Sequence, residues 1–352
     1  MSTGITAEAF ADAARLDAAF DWLCKRRKDW PAGADVWAFR RRWPQEKERL
    51  QRELLAGSYE ADLLSRVTLW RDGEQTEVDL WPARDAVVMK ALAGLLQEAL
   101  LISPRVAHIA DNGGLKGAVR QVWEALPEHA FVMKTDVKSY YASIDHSLLL
   151  ERLARHIDDQ RLMRLLVQYL RRTAEHGGLY REHGKGISLE CPLSPVIGAF
   201  YLAELDAELE HLGCFWVRFM DDILVLTPTR WKLRKAVRVA NQVLAKLKLA
   251  KHPDKTFIGR IGKGFDWLGY HVWPGGLRVA DQTLDRFLSR VRQLYELESK
   301  EESFSVRLGV YVLHWMRWVY ASLALDRVEI SLQNDWQTFS SMKSFTTVQD
   351  KT

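Results

Sequence analysis

VRFMDDILVL, residues Val217 to Leu226, decides how the chain is read. Two apolar runs, Cys214 to Met220 and Ile223 to Leu226, meet at the adjacent carboxylates Asp221 and Asp222. Aromatic and β-branched residues dominate both runs, so they read as a β-hairpin with an Asp-Asp turn. Carboxylates held side by side between buried strands raise each other's pKa unless a cation joins them. A divalent metal is the usual remedy. On this stretch alone, a solvated turn that carries two aspartates explains the pattern equally well, because Asp is a common turn former.

Working outward, the nearest acidic strand is FVMKTDVKSYYASIDH, residues 131 to 146, which reads as a short buried strand delivering Asp136 at its end. Asp145 then opens a helix. A glycine-rich loop, HGGLYREHGKGI, leads into CPLSP, where Ser194 reads as an N-cap and Pro195 as the first helical residue. Thr229 caps a helix beyond the hairpin; between Arg230 and Lys255 there are nine Lys or Arg and one Asp, so its outer face is basic. Phe257 to Ile261 and Phe265 to Trp273 read as two short strands, and helical periodicity returns from Asp281 to about Leu325. Upstream, residues 5 to 56 read as helices interrupted at Pro44, and Arg66 to Leu80 alternates around Asp72-Gly73, a hairpin signal.

The composition is that of an ordinary globular protein: 352 residues, 47% hydrophobic, 27% charged, with a formal net charge of +4. Such a chain can hold two or three lobes. No run of 18 apolar residues appears, the first 20 residues do not read as a secretory leader, and Cys24, Cys191 and Cys214 form neither a disulfide framework nor a CxxC metal pair. A cytoplasmic protein without a membrane partner is expected. His176 and His183 lack metal-ligand spacing, which argues against zinc.

The order of strand with Asp136, helices, hairpin with Asp221-Asp222, helix and strand is the ββαβ-type split arrangement of a polymerase palm. Three carboxylates then converge, and two bridged Mg²⁺ ions could activate a primer 3′-hydroxyl and stabilise the leaving pyrophosphate. Seven ordered stretches carry a closer resemblance: LLAGSY, ARDAVVMKAL, KTDVKSYYASIDH, CPLSPVIGAFYLAELD, RFMDDILVL, HPDKTFIG and GFDWLGYHV. From about Leu54 to Tyr270 the chain resembles the bacterial reverse transcriptase family, in its group II intron, retron and defence-associated branch.

That resemblance implies an α+β right-hand polymerase. Its expected parts are an N-terminal helical extension at 1–56, fingers at 57–130, a first palm part at 131–150, an insertion at 151–190, a second palm part with primer grip at 191–275, a helical thumb at 276–333 and a tail at 334–352. Asp136 and Asp221 would ligate both Mg²⁺ ions, or Mn²⁺ in their place, with the Val137 carbonyl as an additional ligand and Asp222 as an outer one. Tyr141 matches the steric gate that excludes a 2′-hydroxyl. Pro192 and Ser194 lie beneath the nascent base pair, Arg71 and Lys116 would meet the nucleotide, and Lys255 would neutralise or protonate the pyrophosphate. Trp267, Leu268, Gly269 and Tyr270 match the primer grip.

The implied activity is RNA-directed DNA synthesis from deoxynucleoside triphosphates on an RNA template with a DNA primer. The expected partners are a dedicated non-coding RNA, a protein or a second copy of the chain, in antiphage defence. Two departures stand out: Leu189, Glu190 and Cys191 replace a glutamine and glycines common in the family, and Phe219 replaces the tyrosine of Tyr-x-Asp-Asp. The first motivates an alternative, a template-independent polymerase of the same fold; a maturase-like RNA-binding module is another.

Overall fold

A computed structural model describes residues 4–71, 74–298 and 304–320. Four helices build the N-terminal region: α1 (Ala7–Phe10), α2 (Ala13–Arg26), α3 (Asp35–Arg41) and α4 (Trp43–Ala56). Thr6 and Asp12 cap the first two by accepting from the Ala9 and Arg15 N–H groups. Pro44 does not interrupt a helix. It lies in the first turn of α4, where its missing N–H has no intrahelical partner to lose. Gly57, at φ 65°, ends α4. Helix α5 (Ala83–Ala99) is buried on nearly every face and packs against α2.

Strands β1 (Leu64–Arg71) and β2 (Glu74–Leu80) form the expected antiparallel hairpin, while its Asp72-Gly73 turn lies outside the described residues. The chain continues through α6 (Gly114–Ala125), β3 (Phe131–Thr135), α7 (Tyr140–Ser143), α8 (His146–Leu153) and α9 (Gln160–Leu170). Asp145 caps α8 as its sequence suggests, accepting from the Leu148 N–H.

The glycine-rich segment is not simply a loop. It forms a second hairpin, β4 (Thr173–His176) and β5 (Leu179–Glu182), turned by Gly177 and Gly178 at φ 60° and 83°. Two successive positive φ values suit the right-handed twist of paired strands, and glycine adopts them without a Cβ clash. Strand β4 lies parallel to β1, giving one sheet of order β2-β1-β4-β5.

The remaining elements are α10 (Ser194–Tyr201), α11 (Ala203–His211), β6 (Phe215–Phe219), β7 (Asp222–Thr227), α12 (Arg230–Lys246), β8 (Phe257–Arg260), β9 (Phe265–Trp267), β10 (Tyr270–Trp273), β11 (Gly276–Val279), α13 (Asp281–Glu298) and α14 (Phe304–Tyr320). The expected run Phe265 to Trp273 is thus a hairpin, and β11 adds a third strand to it. The sequence expectations past Tyr320 fall outside the described residues.

The central sheet is antiparallel with order β6-β7-β3-β8, so the Asp136 strand lies directly beside the acidic hairpin, with Thr135 opposite Ile223. Alternation sorts its side chains into two cores. Met133, Ile223, Val225 and Trp216 join the large core shared with the helices. Val132, Leu224, Leu226 and Val217 join a smaller one with α6 and the β9–β11 sheet. A sheet apolar on both faces explains why the hairpin reads as continuous apolar runs.

Candidate active site

The turn of the central hairpin is Met220-Asp221, not Asp221-Asp222. Phe219 pairs with Asp222, which is already the first residue of β7. Met220 takes φ 54°, a left-handed conformation that is costly for a side chain other than glycine and persists only where its surroundings enforce it.

Two side chains do so. The Met220 N–H donates to Nδ1 of His108 at 2.9 Å, and Arg218 Nη1 donates to the Met220 carbonyl at 2.8 Å. Residues 105–108 are held alongside β6 by a parallel bridge from Val106 to Arg218. The other ring nitrogen of His108 lies 3.2 Å from the Pro195 carbonyl. An Nδ1 that accepts and an Nε2 that donates describe the neutral imidazole. Burial, reinforced by the nearby Arg218 charge, pushes this histidine down to about 4. Arg218 is itself fully buried, with a bidentate grip on Asp206 at 2.9 and 2.5 Å and a bond to the Ala199 carbonyl at 3.0 Å.

Asp136 follows β3 directly. Backbone bonds from His252 N–H to the Asp136 carbonyl and from Lys138 N–H to the Ala250 carbonyl pin the strand end on either side of Val137. The Asp136 carboxylate is hydrogen-bonded to Asp221 and lies 2.5 Å from Lys255 Nζ. Burial and the neighbouring Asp136 raise Asp221 to about 7, and the same two causes raise Asp222 to about 6. Burial works against ionisation of Asp136 too, but the bonds from Asp221 and Lys255 outweigh it and hold this group low.

Three carboxylates crowded to this degree form a hard-oxygen donor set short of positive charge, which fits a divalent cation. Among the described residues, no three His, Cys, Asp or Glu side chains already stand as a ligating cluster. The Asp136–Asp221 hydrogen bond and the Lys255 ammonium occupy contacts that a cation would replace.

A cavity of about 520 Å³ opens beside Asp221. Tyr141 and Met220 line it together with Arg66, Arg172, His183 and Lys185, and Glu77, which pairs with Arg66, and Asp79 line it too. The Tyr141 hydroxyl is buried and has no hydrogen-bond partner among the described residues. Its ring packs over Gly198, where an added Cβ would come within 3.1 Å of it. Asp79 is clasped by Arg66 at 2.8 Å and Arg172 at 3.2 Å. His183 is pushed down to about 4 by burial and by the Arg172 charge. Leu189, one of the residues that depart from the resemblance, lines the same cavity.

The other expected site residues scatter. Lys116 is not at this cavity. Its ammonium lies over the Tyr270 and Trp318 rings and bonds to the Tyr270 hydroxyl and the Trp318 carbonyl; burial lowers it to about 8. Ser194 is the first residue of α10 rather than its cap. Its hydroxyl donates to the Ser188 carbonyl at 2.5 Å and lies 2.6 Å from the Tyr169 hydroxyl, so its oxygen is engaged away from the helix start. Pro192 precedes that helix and does not line the cavity. Arg71 ends β1, but its side chain lies outside the described atoms. Trp267 and Tyr270 are buried, joined by Leu268 and Gly269 at φ 46° and 85°.

Arg66, Arg172, His183 and Lys185 were not singled out from the sequence as nucleotide contacts. Their signal was spread over β1 and the second hairpin, segments about 100 residues apart that the parallel β1–β4 pairing brings together. His108 carried no motif, and Arg218, though inside the hairpin stretch, was not singled out.

A family model described as reverse transcriptase (RNA-dependent DNA polymerase) matches residues 83–272, more than half of the chain. The chain is also similar to Protein YkfC of Escherichia coli (strain K12), at 23% identity over 273 residues, which covers 64% of this chain and 71% of that protein.

Proposed function

The chain belongs to the reverse transcriptase family of RNA-dependent DNA polymerases, and from that premise we propose that Asp136, Asp221 and Asp222 form its nucleotidyl-transfer centre. The observation that carries this reading is the hydrogen-bonded pairing of the Asp136 and Asp221 carboxyls on adjoining strands, with both hairpin aspartates shifted upward. Asp136 and Asp221, with the Val137 carbonyl, would hold two Mg²⁺ ions, and Asp222 would support them from outside. Bound there, the metal would supply activation of a primer 3′-hydroxyl and stabilisation of the leaving phosphate charge.

The chain's own residues do the rest. The Tyr141 ring packs against the deoxyribose and leaves no room for a 2′-hydroxyl. The cationic wall of Arg66, Arg172 and Lys185 receives the triphosphate. Lys255, already an ion-pair partner of Asp136, carries positive charge or a proton to the departing pyrophosphate. In this reading the β6-β7-β3-β8 sheet is the palm, the β1–β2 hairpin belongs to the fingers, β9–β10 is the primer grip and the last helices begin the thumb. The role in antiphage defence, a dedicated non-coding RNA and a cytoplasmic location belong to the same proposal and rest on the resemblance. No helix among the described residues is long and apolar enough to cross a membrane.

The test supplies labelled deoxynucleotides and Mg²⁺ to the purified protein, with and without an RNA template and DNA primer, beside an Asp221→Ala, Asp222→Ala variant. Template-dependent incorporation by the natural chain alone is expected. Equal incorporation by the variant rejects the assignment of the carboxylates. Incorporation without nucleic acid favours the template-independent alternative, for which Leu189 in the cavity wall is the motivating observation.

A further inference from the structure

A second groove lies away from the carboxylates, toward the other end of β3. It runs between α12 and the edge strand β8 and encloses about 550 Å³. Phe131, at the opposite end of β3 from Asp136, forms part of its floor. Five residues of strand separate the two, roughly 17 Å at about 3.3 Å per residue.

The groove is built by spacing. Arg230, Leu233, Arg234 and Val237 recur at i, i+3, i+4 and i+7 on α12, so one stripe of the helix faces β8. Arg260 and Lys263 close the opposite rim. The four cations are exposed, no acidic residue lines the groove, and no ion pair joins any of the four to a described carboxylate. The floor is apolar and partly aromatic, with Phe131 and Phe257 half-buried. Trp231 stands exposed beside Arg234, whose guanidinium packs 5.1 Å from its ring centre.

Four like charges around an apolar floor repel one another and gain nothing for folding. A cationic rim that follows a phosphate backbone, together with ring faces on which bases stack, is the chemistry that holds a single nucleic-acid strand. We propose that this groove binds single-stranded RNA, namely the unpaired flank of the template whose paired part is held at the carboxylates. The inference rests on the polymerase reading for its choice of RNA. A strand already tethered at one site reaches the second at high effective concentration, so even a weak groove adds affinity.

Fluorescence anisotropy would compare two labelled RNA–DNA template-primers, one blunt and one with a flank of about 12 unpaired uridines, a length in the range of single-strand sites. No nucleotide is added. The probes are titrated with the natural chain, with Arg230→Glu, Arg234→Glu, and with the milder Arg260→Gln, Lys263→Gln. The flank is expected to tighten binding about tenfold at low salt. Both variants should erase that gain, lower the log-log salt slope by about 1 to 2, and leave blunt template-primer binding and extension unchanged.

A flank that adds nothing, or variants that weaken blunt and flanked probes equally, overturns the proposal. Displacement of the flank by polyglutamate as readily as by polyuridine also overturns it, because charge alone would then fill the groove. Binding of the free uridine strand, lost in the variants, supports the groove even if no template-primer binds; that result would sink the polymerase reading instead.

Discussion

The backbone N–H of Met220 donates to Nδ1 of His108 at 2.9 Å, and this bond holds the residue before Asp221 in a left-handed conformation. Asn can imitate Nδ1 as an acceptor, whereas Gln reaches the position of Nε2. His108→Asn is therefore expected to keep kcat within a few-fold. His108→Gln, which leaves the Met220 N–H unmatched, should lower kcat about 100-fold while KM for the template-primer stays constant, since a displacement near 1 Å at a reacting centre has effects of that order. Equal losses in both variants would assign the histidine to packing alone.

The same histidine sets a pH dependence. Its folded-state pKa is about 4 against an ordinary 6.5, so the unfolded chain binds the proton first as pH falls. Stability is full above 6.5, declines between about 6.5 and about 4, and loses nothing more from this group below that. Urea midpoints across this range should fall more steeply for the natural chain than for His108→Asn, which has nothing to titrate there. Parallel slopes would contradict the buried neutral ring.

Tyr141 presents a ring whose hydroxyl bonds to nothing described. Tyr141→Phe should leave sugar selection intact and not lower the unfolding midpoint, because a buried unsatisfied hydroxyl is removed. Tyr141→Ala should admit ribonucleotides. Gly198→Ala tests the gate from behind: the new methyl would press the ring from 3.1 Å and should change the deoxy-to-ribo preference about 10-fold, the scale of one-carbon discrimination. An unchanged ratio in Tyr141→Ala rejects the gate.

Asp79 is buried and holds the buried Arg172 and the half-buried Arg66. Removing one partner of a buried ion pair leaves uncompensated charge, so Asp79→Ala should cost about 3 to 5 kcal/mol in chemical denaturation. Arg172→Gln should instead act on the nucleotide, raising KM for deoxynucleoside triphosphate more than it lowers kcat. Unaltered nucleotide kinetics in Arg172→Gln would remove that residue from the triphosphate wall.

The central hairpin was legible because both its faces are buried, which leaves an uninterrupted apolar run broken only by the acids. Asp145 and Thr229 were legible as caps because capping is local chemistry. The position of the turn was not legible: a one-residue shift to Met220-Asp221 depends on His108, more than 100 residues away, enforcing a backbone conformation that the Met side chain itself disfavours. Ser194 misled for a related reason, since a hydroxyl that fits a cap was taken by Ser188 and Tyr169. Lys116 follows a glycine turn as a phosphate-binding lysine would, yet two aromatic rings from the C-terminal third of the chain claim its ammonium.

The parallel pairing of β1 with β4 joins Leu64 to Ala174 and Ser65 to Glu175. During synthesis β1 therefore emerges more than 100 residues ahead of β4, the strand it pairs with. For that interval the β1 edge at Leu64 and Ser65, which β4 later covers, is an open template for pairing with another chain. Loop closure across so long a separation is slow. A chain halted before Thr173 would carry the β1–β2 hairpin without the two strands that complete its sheet.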